Sequence, residues 1–310
     1  MNTQSNATSG SSFEPQGAAP AAMSATRPFY WSVRRELWEN RSIYLAPLAV
    51  AGVYLCGFLI SMPHLPRRMR AALALDPQHQ YRAMVMPYHI AAGLIMGTAI
   101  IVAVFYCFDS LQGERRDRSI LFWKSLPVSD RTTVLAKATI PIVILQLFTF
   151  AVVVVTQFIM LLLSSAVLAG SGISPAMLWT QVSLFSASVM LDYHLVTVHI
   201  LWHAPFYGWM LMVSAWARRV AFLWAILPPL AICFIEKVAF NTNYFAGMLL
   251  HRLSGGPEAM PMSPDQFPVE PGMHLTPGHY LASPGLWLGL LVTALFLAAA
   301  IRLRRYREPI

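Results

Sequence analysis

The sequence predicts an all-α, polytopic membrane protein, and three observations carry that reading. Of 310 residues, 56% are hydrophobic and 12% charged, with a mean hydropathy of +0.54. That is more apolar surface than one soluble domain of this length can bury. The apolar residues are gathered into runs long enough to cross a bilayer, whose hydrocarbon core of roughly 30 Å takes about 20 helical residues. Between the runs, Lys and Arg concentrate in alternate connections, as they do around membrane helices.

Residues 1–27 are rich in Ser, Ala, Gly, Asn and Gln with few large hydrophobes, a composition that cannot offset the entropy of ordering, so a disordered tail is expected. The tail lacks the basic start and apolar core of a cleavable signal peptide. The domain division is therefore this tail followed by one membrane domain over 28–310.

In residues 27–41, Phe29, Tyr30, Trp31, Val33, Leu37 and Trp38 spread over one broad side of a helix, with Arg35, Glu36 and Glu39 opposite. This pattern suits a helix lying in the membrane interface or an extension of the first span. Six spans follow at about 43–62, 88–108, 138–168, 195–216, 220–239 and 284–301, the third long enough to tilt or project. Residues 176–190 are apolar but short and polar-rich, which predicts an interfacial or re-entrant piece before the fourth span. Cys56, Cys107 and Cys233 all fall in apolar runs, with no spacing that suggests a disulfide framework or a metal pair.

Sixteen Lys and Arg residues fall on the side of the N-terminus, the 109–137 connection, Arg218, Arg219 and the C-terminus, and six on the other. Both termini and that connection are therefore expected in the cytoplasm, although Arg67, Arg68, Arg70 and Arg82 crowd the first outer loop. With carboxylates subtracted, all of the +8 net charge faces the inner leaflet, whose anionic headgroups account for the basic pI of 9.7 without nucleic acid.

The connection between spans two and three, FDSLQGERRDRSILFWKSLPVSDRTTVLAK, is the most informative stretch. Glu114 to Arg118 is strongly polar, and Ile120, Leu121, Phe122 and Trp123 then form a dense apolar patch ended by Pro127. Such a patch either packs on a partner or anchors in the headgroup layer. Ser129 and Asp130 predict the cap of a helix running through Lys137 into the third span.

This layout resembles the permease subunits of type-2 ATP-binding-cassette (ABC) exporters. The likeness rests on six spans with cytoplasmic termini, a leading interfacial helix, and the bridge from Gly113-Glu114-Arg115 through Leu126-Pro127-Val128-Ser129 to Lys137. The stretch LWHAPFYGWMLMVSAWARR, followed by Leu227-Pro228-Pro229 and Glu236, is also similar to bacterial members, and the likeness spans roughly 28–307. The resemblance implies a multi-pass protein of the bacterial inner membrane, forming a homodimer or heterodimer of permeases on separate ABC ATPase subunits. It makes the bridge an ATPase-coupling segment, with Glu114, Arg115, Leu121, Phe122 and Trp123 as its contact residues. The chain has no G-x-x-x-x-G-K-[ST] phosphate loop, so ATP would be bound and hydrolysed by the partner, and no cofactor or enzyme activity is expected in this chain. Such proteins carry re-entrant helices in the outer loop, here 240–283, and residues 243–253 could serve as one, while 254–283 departs from the family pattern.

Other polar residues carry narrower expectations. Glu236 and Lys237 lie near the outer end of span five, where a charge costs about 2.5–3.5 kcal/mol on insertion scales, so both should face protein or water, and Glu236 is the candidate for a pathway or outer gate. His199 and His203 are one helical turn apart, beside His194 and Asp192, but HILWH lacks the glutamate of H-E-x-x-H, so contacts between helices are expected and no metal. Ser171, between two glycines, lacks the G-x-S-x-G elbow of a hydrolase and fits a turn. A membrane hydrolase or a non-transporting scaffold are the rival classes. The substrate is not legible, though the absence of charged rows along any span favours a hydrophobic or amphipathic one.

Overall fold

The computed structural model describes residues 26–125, 128–255 and 277–306, and shows no strand among them. The expected tail and most of the 254–283 loop lie outside the described residues, as does Pro127. In chain order the α-helices are α1 Thr26–Glu39, α2 Ser42–Ser61, α3 Leu65–Leu73, α4 Pro77–Arg116, α5 Ser119–Ser125, α6 Asp130–Thr139 and α7 Leu145–Gly170. They continue with α8 Ala176–Val182, α9 Leu184–His194, α10 Ala204–Trp216, α11 Ala221–Phe240, α12 Tyr244–Leu253, α13 Pro277–Ala282 and α14 Pro284–Tyr306.

Six helical runs are long and apolar enough to cross a membrane: Ser42–Leu73, Pro77–Arg116, Asp130–Gly170, Ala176–Trp202, Ala221–Phe240 and Pro284–Tyr306. Five correspond to the expected spans. The fourth does not: α8 and α9, the stretch read as an interfacial or re-entrant piece, run through a π-helical segment, Leu195–Trp202, and on into α10. Several of the polar residues that argued against this helix are satisfied locally. Thr180 donates to the Met177 carbonyl, Ser183 to Ser186, and Trp179 Nε1 to Ser165 at 2.8 Å. Leu178 and Val182 meanwhile fill a groove between α4 and α7. These local bonds lower the cost of placing the hydroxyls and the indole N–H in an apolar environment.

Apolar packing is layered along the bundle. At one end, here the bridge end, α4, α6, α7, α10 and α14 share a core of Tyr106, Cys107, Leu111, Val134, Leu145, Tyr207, Leu211 and Ala300. At the far end, Met69, Met84, Met160, Leu161, Leu168 and Leu178 join α3, α4, α7 and α8. Gly208 lets α10 approach α14 closely, since a Cβ there would lie 3.4 Å from Thr293 and Phe296. By contrast α11 buries only Ala221 and Ala225, leaving most of its apolar surface exposed.

Helix α1 corrects one sequence expectation. Part of its polar side faces inward: Glu36 is 1% exposed, whereas Glu39 stays exposed and Tyr30, Trp31 and Trp38 are more than half exposed. Val33 and Leu37 pack beside Glu36 on the bridge-end core, so one helix face mixes two hydrophobes with a carboxylate. The reason is that Glu36 meets its countercharges inside the protein.

Candidate functional site

The bridge folds as α5 and α6, joined to the end of α4, and a buried charge network forms its base. Glu36 Oε1 receives hydrogen bonds from Lys137 Nζ at 2.8 Å and Arg35 Nη2 at 2.7 Å, and its other oxygen accepts from the Tyr106 hydroxyl at 2.9 Å. Glu114 lies 3.1 Å from Lys137 and 2.9 Å from Arg35, and pairs on its far side with Arg304. Arg304 also reaches Asp130 at 3.1 Å. Glu114 is 9%, Lys137 2% and Arg304 3% exposed, so these charges are nearly dry. The network ties α1, α4, α6 and α14 to one another.

Burial pushes the Glu36 carboxyl up, but the Lys137 ammonium and the Arg35 guanidinium outweigh it and hold the group below the ordinary carboxylate range. Glu36 is thus ionised at neutral pH. Arg115 takes a separate role, donating to the carbonyls of Ala215 at 2.7 Å, in the last turn of α10, and of Ala217 at 3.2 Å, just past it. Ser214 at the end of α10 receives the amides of Leu111 and Gln112.

The five residues expected to contact a partner therefore separate. Glu114 and Arg115 turn into the protein, while Leu121 and Phe122 are 58% and 60% exposed. Trp123 lies between, half-buried, with the Arg35 guanidinium 3.9 Å above its ring and Phe122 edge-on at 4.9 Å. Ile120, which the sequence grouped with them, is buried and anchors the helix. Lys124 adds a contact to the Arg305 carbonyl of α14. Ser129 caps α6 as the sequence predicts, accepting the Thr132 amide at 3.1 Å.

Glu236 has a local partner set. It accepts the amides of Tyr244 and Phe245 at 2.6 and 2.9 Å and the Thr242 hydroxyl at 2.8 Å, closing the N-terminal turn of α12 against the end of α11. From there α12 turns back toward the bundle, and its last turn reaches Trp202, His203 and Gly285. The rings of His194, His199 and His203 stack edge to face at 5.4 and 5.3 Å, and no group of three His, Cys, Asp or Glu side chains among the described residues is placed to hold a metal. Asp192 is exposed. Ser171 donates to the Leu168 carbonyl at 2.8 Å, closing the end of α7 ahead of Gly172 at φ +73°.

Sequence reasoning missed two groups of residues. Glu36, Lys137 and Arg304 gave no local signal, because their partners are far away in sequence. The G-x-x-x-G spacing of Gly285 and Gly289 in an apolar helix was a signal of close packing that went unread. The chain matches no family model, no curated protein and no solved structure, so its function is argued from the sequence and this geometry alone.

Proposed function

We propose that this protein is the permease subunit of a type-2 ABC exporter of a bacterial inner membrane, driven by ATP that a separate ATPase subunit hydrolyses. The observation that carries the proposal is the bridge itself. Leu121 and Phe122 stand exposed on a short helix whose base is locked to α1, α4 and α14 by buried ion pairs. An apolar knob on a rigid base is what a groove in a motor subunit needs to push against. In this reading both termini and the bridge are cytoplasmic, the permease pairs with a second permease chain, and α12 belongs to the outer mouth.

A headgroup anchor is the competing role for the same knob, and one variant separates them. Leu121→Ala with Phe122→Ala removes exposed side chains only, so membrane insertion and yield should be unchanged. Affinity for the proposed ABC ATPase partner should fall about thirtyfold, as for loss of an interface anchor of about 2 kcal/mol. Full co-purification and full coupled ATP turnover in the double variant would overturn the coupling role.

A further inference from the structure

The coupling reading leaves the positive charge between α2 and α4 unexplained. Helix α3 ends the helical run that starts at Ser42, and Leu65, Met69 and Ala72 seat it on the far-end core against α4, α7 and α8. Successive helical residues turn by about 100°, so Arg67, Arg68 and Arg70 emerge on the other side, and all three are exposed. None of them enters an ion pair among the described residues. Asp76, the one carboxylate between α2 and α4, is already engaged: it caps α4 at the His79 amide and lies 2.6 Å from His79 Nδ1. The end of the bundle opposite the bridge thus shows three cations without a counterion.

Their height narrows the kind of anion that fits. Leu59 and Ile60, in the last turn of α2, are exposed apolar side chains, as on the lipid-facing side of a span. Arg67 follows Ile60 by seven residues, about 10 Å of helical rise, and an arginine stem can bend its charge back toward an interface. The guanidinium groups therefore come within reach of the headgroup layer, just beyond the hydrocarbon core. Leu73 and Leu75 are exposed next along the chain, so the face mixes cations with apolar side chains, as membrane-surface segments do. A soluble acidic partner has no use for those two leucines. Arginine also matches phosphate, to which its planar fork offers paired N–H donors.

We propose that α3 binds the phosphate groups of anionic phospholipids in the leaflet at the end opposite the bridge, through Arg67, Arg68 and Arg70. These arginines run against the Lys and Arg bias that orients the chain, and an anionic leaflet beside them offsets that charge. The inference needs no ATPase, so it stands or falls apart from the coupling role.

The test follows amide hydrogen exchange in residues 65–75 of the full chain, held in micelles of a neutral maltoside mixed with rising fractions of dioleoyl phosphatidylglycerol or dioleoyl phosphatidylcholine. Phosphatidylglycerol should slow exchange saturably, and phosphatidylcholine should not. Combining Arg67→Gln, Arg68→Gln and Arg70→Gln should abolish the slowing, and each single change should raise the half-saturating lipid fraction about fivefold. Where the triple variant does not fold, the single changes carry the test. Equal slowing by both lipids, no slowing by either, or one half-saturating fraction for wild type and all variants overturns the proposal. Slowing by hexaglutamate in lipid-free micelles as strong as that by phosphatidylglycerol also overturns it, because a soluble acidic partner would then fit the face as well. So does a response to phosphatidylglycerol that emerges only after Glu258→Gln, Asp265→Asn and Glu270→Gln, because the chain itself would then supply the counterions.

Discussion

At the bridge end, Glu36 and Glu114 are buried together with Lys137 and Arg304, with Arg35 at the rim, and every carboxylate oxygen has a partner. Beside Trp202 a single guanidinium is enclosed with one carbonyl and two idle N–H groups. Both regions take charge out of water, which is costly unless the charge is matched. The first leaves Arg35 Nε without a hydrogen bond, 3.5 Å from Glu39, but pairs both buried carboxylates, and it reads as a fastening. The second is incomplete: its guanidinium, that of Arg252, has one carbonyl partner and is pressed against Gly289. The two regions differ in whether the buried charge meets a countercharge.

The largest expected effect breaks the closed region. Lys137→Met leaves Glu36 and Glu114 buried with one cation fewer, a loss expected to destabilise by about 3–5 kcal/mol. Thermal unfolding of the purified chain would show it, and pairing the change with Glu36→Gln should recover part of the loss because the remaining charges balance again. A loss under about 1 kcal/mol for Lys137→Met would mean that the network is loose, and the contrast with Arg252 would fail.

Acid gives a milder way to open the same cluster. Because the folded protein holds the Glu36 carboxyl below its ordinary value, the contribution of Glu36 is complete above that ordinary value of 4.5 and is lost as the pH falls through the lower folded-state value. The thermal midpoint should therefore be level from neutral pH to about 4.5 as far as Glu36 is concerned, then drop, and the drop should be smaller in Glu36→Gln. An equal acid drop in that variant would assign the effect to other carboxylates.

The two regions also differ in how far they could be read from sequence. Ser129 and its cap were legible because the contact spans three residues, and five of six spans were legible because length and hydropathy are local. The inward turn of Glu36 was not, since Tyr106 is 70 residues away and Lys137 is 101. An amphipathic plot places a glutamate on the wet side of α1, and only tertiary partners reverse that. The split of the bridge patch followed the same logic: composition grouped Ile120 to Trp123, and only the packing of α5 on the bundle sends Ile120 in and Leu121 and Phe122 out. The Arg252 seat drew on three distant segments, with Gly285 33 residues beyond Arg252 and Leu253 50 beyond His203, so no window of sequence contained it.

Gly289→Ala should close the second region without touching the first. The added methyl would overlap the Arg252 guanidinium, so the side chain must leave its seat, at a cost of about 1–3 kcal/mol for overpacking. Hydrogen exchange should rise in residues 244–253 and stay unchanged in α1 and α6. Faster exchange in α6 as well would show that the two regions are one cooperative unit.

The smallest effect, and the finest test of the contrast, comes from Ser129→Ala. Ser129 Oγ accepts the Thr132 amide at 3.1 Å and sits at the start of the helix that carries Asp130 and Lys137 into the network. Losing such a cap typically costs about 1 kcal/mol. If the buried ion pairs hold α6 in place, the helix keeps its position and only the first turn frays, so Ser129→Ala should lower stability by about that amount and leave the acid transition where it was. If instead the cap holds α6 and the ion pairs merely follow, the variant should destabilise as much as Lys137→Met and should shift the acid transition toward neutral pH, because Glu36 would lose its ammonium partner along with the helix. The ratio of the two losses, roughly one to four in the first case and near one in the second, decides which interaction is the fastening.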